Sequence, residues 1–358
     1  MGCGCSGLKT RPEEVTLARD KRSESDVSSS KKLTLTKGLL EKKMELEYYF
    51  GCQESIHGAN LYYSYDPDKI VYSAGKLCIV HDKITNKRQY LGLDADFSSL
   101  KGHSNNIEVM GLSQDRRMIA TSSTSSPTNP EICIWSLETG DLVAQFAAQA
   151  NIVSIAFNKT TEFIVLCDKK NNLYVYDLMG KQQGYQKSDD PSFSSTCVTS
   201  SLKDSDSFAT IYIDGVIFWI FNNGELKRVK KKAIHGPDSM VSVTYSEDGN
   251  CYSTSCRGMV HIWKDRELIK TIAIDHINTI HKISCDKDTL YIGGSRGVSL
   301  CNLGNLQQKF IALGNEVIDM DSFEGKAIVG LKNFSVLELS EEGQKVIMGQ
   351  RENNEAVI

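Results

Sequence analysis

Gly2, Cys3 and Cys5 are the residues of this chain whose positions offer definite chemistry. The sequence begins Met1-Gly2-Cys3-Gly4-Cys5-Ser6, and glycine at position 2 with serine at position 6 fits the pattern for N-myristoylation. Glycine is required there because the acylated amine must enter a narrow transferase channel that any side chain would obstruct. One myristoyl chain holds a bilayer only marginally, so stable anchoring takes a second signal. Cys3 and Cys5 offer two thioester positions for palmitate beside the first chain. Lys9, Arg11, Arg19, Lys21, Arg22, Lys31 and Lys32 add electrostatic attraction of up to about 1 kcal/mol each near an anionic leaflet, diluted by Glu13, Glu14 and Asp20. Short motifs arise by chance, but a clustered Gly-Cys-Gly-Cys-Ser is rarer than a glycine alone. The expectation is an anchor on the cytoplasmic face of a membrane. Ser23, Ser25, Ser28, Ser29 and Ser30 sit between Arg22 and Lys31. They read as solvated linker serines, and phosphorylation there would weaken lipid attraction.

A second candidate is the run Lys227-Arg228-x-Lys230-Lys231-Lys232. Lysines on a perimeter strand protect it from edge pairing. The same cations would also hold an acidic protein surface or phospholipid headgroups. The remaining patterns point away from catalysis. The seven histidines show no metal spacing: His276 and His281 are five apart on an extended segment, which puts them on opposite faces. His103 follows Gly102 and reads as a ring that braces a turn, although its loop lacks the aspartate partner such a ring takes. Gly293-Gly294-Ser295-Arg296-Gly297 has no helix after it, so it reads as a strand turn rather than a phosphate cradle. No nucleophile–base pair stands out. The expectation is no enzyme, no metal, no cofactor and no small-molecule substrate.

Composition agrees. The 358 residues are 40% hydrophobic and 24% charged, with a net charge of −4, too small to imply a nucleic-acid partner. Residues 1–43 hold ten Lys/Arg against six Asp/Glu, and the rest hold 31 against 39: a basic tail on an acidic body. Eleven cysteines occur without a Cys-x-x-Cys pair, which suits reduced thiols in the cytoplasm. No apolar run is long enough to cross a membrane as a helix.

The elements that carry these residues follow from a repeat. The third strand of each unit ends in a recognisable pair: Val80-His81, Ile134-Trp135, Val175-Tyr176, Phe218-Trp219, Ile262-Trp263, Leu300-Cys301 and Leu337-Glu338. Spacings between the second members are 54, 41, 43, 44, 38 and 37. An acid or amide recurs in phase in the turn before the second strand: Asp115, Asn158, Asp204, Asp248 and Asp288. Four strands per period of roughly 40 to 45 residues predict a WD-repeat β-propeller. The fold class is therefore all-β, a single seven-bladed propeller. Residues 1–45 are expected to be a lipidated, basic, Ser-rich and disordered tether. Leu39, Leu40, Met44 and Leu46 fall within or beside it and could form a short helix. The propeller spans 46–350 and a tail 351–358. Both Leu46–Gly51 and Lys345–Gly349 look like strands, and Leu46–Gly51 is expected to be the outermost strand of the last blade.

Some of these residues also carry a family resemblance. Leu46-Glu47-Tyr48-Tyr49-Phe50-Gly51 is similar to the Leu-Glu-Trp-x-Tyr-Gly segment that opens the first propeller of echinoderm microtubule-associated protein-like proteins. Asn60-Leu61-Tyr62-Tyr63, Ile70-Val71-Tyr72 and Gln89-Tyr90-Leu91-Gly92 resemble that family's first blade. An insertion at Ser122 to Asn129 precedes Pro130-Glu131-Ile132-Cys133-Ile134-Trp135, where the family has a loop. The resemblance covers residues 46 to about 348 and implies a non-enzymatic module that binds tubulin or microtubules, without assigning individual contact residues. Two functions are thus expected in order: a membrane-anchored scaffold for a protein partner, and, as the alternative, a microtubule-binding or axonemal protein of the cytoskeleton or cilium.

Overall fold

The computed structural model describes residues 60–93, 101–123, 130–188, 197–212, 215–234, 239–341 and 343–349. They form seven four-stranded antiparallel sheets, each a simple meander of consecutive strands. Blade 1 is β1–β4 (Leu61–Tyr63, Lys69–Ala74, Leu77–Asp82, Arg88–Tyr90), and blade 2 is β5–β8 (Ile107–Leu112, Met118–Ser123, Glu131–Ser136, Leu142–Ala147). Blade 3 is β9–β12 (Ile152–Phe157, Phe163–Asp168, Leu173–Asp177, Gln182–Gln186), and blade 4 is β13–β16 (Val198–Ser200, Ser207–Tyr212, Gly215–Asn222, Glu225–Ala233). Blade 5 is β17–β20 (Met240–Tyr245, Cys251–Ser255, Met259–Lys264, Glu267–Ala273), and blade 6 is β21–β24 (Ile280–Asp286, Thr289–Gly294, Gly297–Asn302, Gln308–Ala312). Blade 7 is β25–β28 (Val317–Phe323, Lys326–Leu331, Val336–Ser340, Gly343–Met348). All seven marker pairs lie on third strands, and all five turn markers lie between first and second strands. The propeller expected from the repeat is the fold.

The physical logic is a layered one. Second and third strands are covered on both faces by neighbouring blades, so they are buried along most of their length, as in Phe163–Asp168. The clusters between blades have mixed membership. Val109, Ile134, Ile155 and Tyr176 join blades 2 and 3, while Val175, Phe208 and Trp219 join blades 3 and 4. First strands line the axis of the ring and fourth strands its rim. A meander places the first-to-second and third-to-fourth turns on one face, and the remaining loops on the other.

The last blade corrects the expectation for ring closure. Its outermost strand is Gly343–Met348, paired with Val336–Ser340, so the place expected for Leu46–Gly51 is taken by a strand from the carboxy-terminal side. The reason is local: Gly343 lies at the turn after β27, with φ of 134°, which lets the chain fold straight back as a hairpin. Leu46–Gly51 lies outside the described residues, as do the rest of 1–59 and the tail 351–358. The insertion is also shorter than expected, since Ser122 and Ser123 belong to β6.

With four sequence-local strands in both blade 1 and blade 7, no strand among the described residues is exchanged across their boundary. Polar side chains join them instead. Asp319 Oδ2 accepts from Asn60 N at 2.7 Å and Asp321 Oδ2 from Tyr63 N at 2.9 Å. The Tyr63 hydroxyl donates to Glu338 at 3.0 Å, and Lys83, nearly buried, pairs with the same carboxylate. Burial works against the Glu338 charge, but the Lys83 ammonium and the Tyr63 hydroxyl outweigh it and hold its pKa below the usual range. Arg116, in the turn of blade 2, completes the seam. Its guanidinium donates to Tyr63 O at 3.0 Å, Asp321 Oδ2 at 2.6 Å and Ser322 O at 2.7 Å, and it lies 4.4 Å over the Phe323 ring.

Candidate interaction surfaces

Three tryptophans show how the blades hold their residues in place. Trp135, Trp219 and Trp263 are buried on third strands, and each indole N–H donates to a hydroxyl on the second strand: Thr121 at 2.9 Å, Thr210 at 2.9 Å and Ser253 at 2.8 Å. A buried indole needs such a partner. In blade 2 the chain of bonds continues. His103 Nε2 lies 2.6 Å from Thr121 Oγ1, and its Nδ1 lies 2.8 Å from Ser123 Oγ. The bracing role expected of His103 is therefore filled, with Ser123 standing where the sequence lacked an aspartate. Burial depresses the His103 pKa to about 4, so the ring is neutral at physiological pH. Gly102, just before it, has φ of +108° and sits against the Trp135 ring.

The turn markers act locally too. Asp115 Oδ1 accepts from Ser113 Oγ and Arg117 N. Asn158 Oδ1 accepts from Glu162 N and Phe163 N, and Asp248 Oδ1 accepts from Asn250 N. Such side chains supply the acceptors that a tight turn leaves open.

The axis of the ring is a cavity of about 440 Å³, and every first strand lines it, through Tyr62, Met110, Ile155, Val198, Val243, Ile283 and Met320. Its polar groups are largely engaged with one another. Gln114 reaches past blade 3 to donate to Ser200 Oγ at 3.2 Å and Ser201 O at 3.0 Å. The hydroxyls of Ser284 and Ser322 meet at 2.7 Å. Lys282 lies 3.7 Å from Asp319, whose carboxyl burial pushes above its usual range. Burial pushes the Cys285 thiol up to about 12, which leaves it a poor nucleophile at neutral pH. Hydrogen bonds and ion pairs thus brace the wall.

His276 and His281 do not share an extended segment as expected, because His276 sits in the turn before β21 with φ of 65°. His276 stacks on Phe310 with ring centroids 5.2 Å apart, and His281 Nε2 lies 2.8 Å from Glu316. Among the described residues no group of three or more His, Cys, Asp or Glu could hold a metal ion. Gly293 to Gly297 spans the turn between β22 and β23, as expected.

The basic run is the fourth strand of blade 4, β16. Lys227 and Arg228 are exposed, while Lys230 and Lys232 are half-buried. Lys231 pairs with Ile217 in the ladder. Lys227 pairs with Glu225 at 3.0 Å, and Glu267 of blade 5 takes both Lys230 and Lys232. The ladder also shifts at Phe218/Trp219, leaving Val229 as an unopposed bulge residue on the rim. Sequence reasoning found the lysines but missed the bulge, which no local motif announces. Gly2, Cys3 and Cys5 lie outside the described residues.

No family model matches the chain. It is 25% identical, over 333 residues, to the ciliary WD repeat-containing protein ctxp80 of Euplotoides octocarinatus, in an alignment that covers 87% of this chain and 46% of that protein. The chain thus spans less than half the length of the relative it matches. Together the likeness and the seven sheets support a propeller of the WD-repeat kind, a fold that generally binds protein partners. This likeness does not confirm the resemblance to echinoderm microtubule-associated protein-like proteins.

Proposed function

We propose that this chain is a non-enzymatic scaffold that presents a WD-repeat propeller to a protein partner, tethered to the cytoplasmic face of a membrane through acyl chains on Gly2, Cys3 and Cys5. The observation that carries the scaffold half is the use of the polar side chains. Arg116, Gln114, Asp319 and Asp321 are engaged in holding blades to one another and His103 braces blade 2 from within, which makes a rigid platform with loops on its faces. The tether half draws its support from the Gly-Cys-Gly-Cys-Ser motif alone. In a eukaryotic cell the wild-type protein should sediment with membranes, and Gly2→Ala should move it to the soluble fraction. Metabolic labelling with an alkyne myristate that fails to mark position 2 would sink the tether. Proximity labelling from the intact protein, compared with Gly2→Ala, names the partner.

A second reading is favoured by the ciliary relative: a microtubule-associated or axonemal protein in which acylation tunes delivery. In that case Gly2→Ala leaves the protein with the detergent-insoluble cytoskeleton, and purified protein co-sediments with microtubules.

A further inference from the structure

The rim of blades 4 and 5 combines charge and apolar surface in a way that edge protection does not require. Strands β16 and β20 together carry six Lys/Arg (Lys227, Arg228, Lys230, Lys231, Lys232, Lys270) against two glutamates, Glu225 and Glu267, on a body that is otherwise acidic. Glu267 of β20 takes both Lys230 and Lys232 of β16, so ion pairs bridge the two rim strands. Both ladders shift at the same place, between Phe218 and Trp219 in blade 4 and between Ile262 and Trp263 in blade 5. The unopposed residues are Val229 and Ile269, which are 44% and 57% exposed. Either a bulge or a row of lysines is enough to stop edge-to-edge pairing. Single exposed aliphatic residues are ordinary on a protein surface, but here two of them lie among cations on neighbouring rim strands.

We propose that this rim docks on an anionic lipid bilayer, with Val229 and Ile269 entering the headgroup–acyl boundary while the lysines lie at the phosphate level. Long basic side chains reach sideways from such a boundary, and binding of this type grows with both buried apolar area and charge. An acidic protein tail would engage the lysines but make no use of two aliphatic residues set between them, which is why the bilayer is the better fit. Blade 2 supplies an internal control: its rim strand β8 has the same bulge, with Val143 41% exposed, but no Lys or Arg. The proposal takes its setting from the membrane-scaffold reading, yet its test does not involve the acyl chains.

The test uses the full-length chain made in bacteria, hence unacylated, and sedimentation with phosphatidylcholine vesicles with and without phosphatidylserine. The wild type should bind the phosphatidylserine vesicles and release them at high salt. Lys227→Gln/Lys230→Gln/Lys232→Gln should weaken binding by about tenfold or more, and Val229→Ser/Ile269→Ser by about fivefold. Val143→Ser should bind like the wild type. Circular dichroism and unchanged melting establish that the surface variants remain folded. Wild-type binding by either rim variant overturns the proposal. So does a glutamate-rich peptide that needs the lysines while vesicle binding ignores Val229 and Ile269, since that outcome assigns the rim to an acidic protein. Failure here would leave the Gly2→Ala result intact, so the two readings stand or fall separately.

Discussion

Arg116 and Asp321 lie 205 residues apart in the chain, yet a guanidinium nitrogen of one meets a carboxylate oxygen of the other at 2.6 Å. The pair fastens blade 2 to blade 7 across blade 1, with both side chains mostly shielded from water. Replacing Arg116 by alanine strips Asp321 of its cation and leaves the Tyr63 and Ser322 carbonyls without their donor. A loss of about 3 kcal/mol in unfolding free energy is expected, because breaking one side of a shielded pair strands the other charge. Arg116→Lys should recover only part of it, since an ammonium cannot copy the planar fork. Urea titration of the three proteins checks both numbers.

Acid should weaken the fold through His103. Its folded-state pKa is near 4, against about 6.5 in an unfolded chain. Between those values the unfolded chain binds a proton that the native ring refuses. Stability is therefore fully present above about pH 6.5 and falls as the pH drops towards 4, by at most about 3 kcal/mol. His103→Gln should flatten this slope over that window, measured by thermal unfolding at a series of pH values. An unchanged slope would mean that other groups set it.

Gly102 should tolerate no side chain. A Cβ built there lies 2.6 Å from Trp135 Cη2, at a φ of +108°. Gly102→Ala should cost about 2–4 kcal/mol from strain and overlap together. Trp135 fluorescence should shift as the indole moves away from Thr121.

Ending the chain after Ser340 should be far more damaging than beginning it after Gly51. The first change removes β28 and bares the Val336–Ser340 edge, and it uncovers Val336 and Leu337, now 6% and 8% exposed. The second leaves blade 7 with all four of its strands. Aggregation and loss of cooperative melting in the carboxy-terminal truncation alone is the expected result. The reverse would restore Leu46–Gly51 as the closing strand.

What the sequence made legible was whatever repeats within a blade. The first member of each pair, from Val80 to Leu337, is apolar because burial on both faces of a third strand favours such residues. Asp115, Asn158 and Asp248 mark turns because tight turns need local acceptors. What it hid was whatever joins distant parts of the chain. Nothing near Arg116 in the sequence points to Asp321 or Tyr63, and nothing near His103 marks Ser123 as its partner. The choice between two strand-like segments for the last blade turned on a hairpin at Gly343, which local patterning left open. Along the rim the lysines of β16 were plain, but the bulges that expose Val229 and Ile269 exist only in the pairing register.

Because each sheet is one uninterrupted run of chain, a ribosome can release finished blades in order, and none must wait for a distant segment to supply its edge. The circle is then a bracelet with a side-chain clasp. Pulled from its ends, such a bracelet should part first between its earliest and latest links, with every sheet on either side still whole.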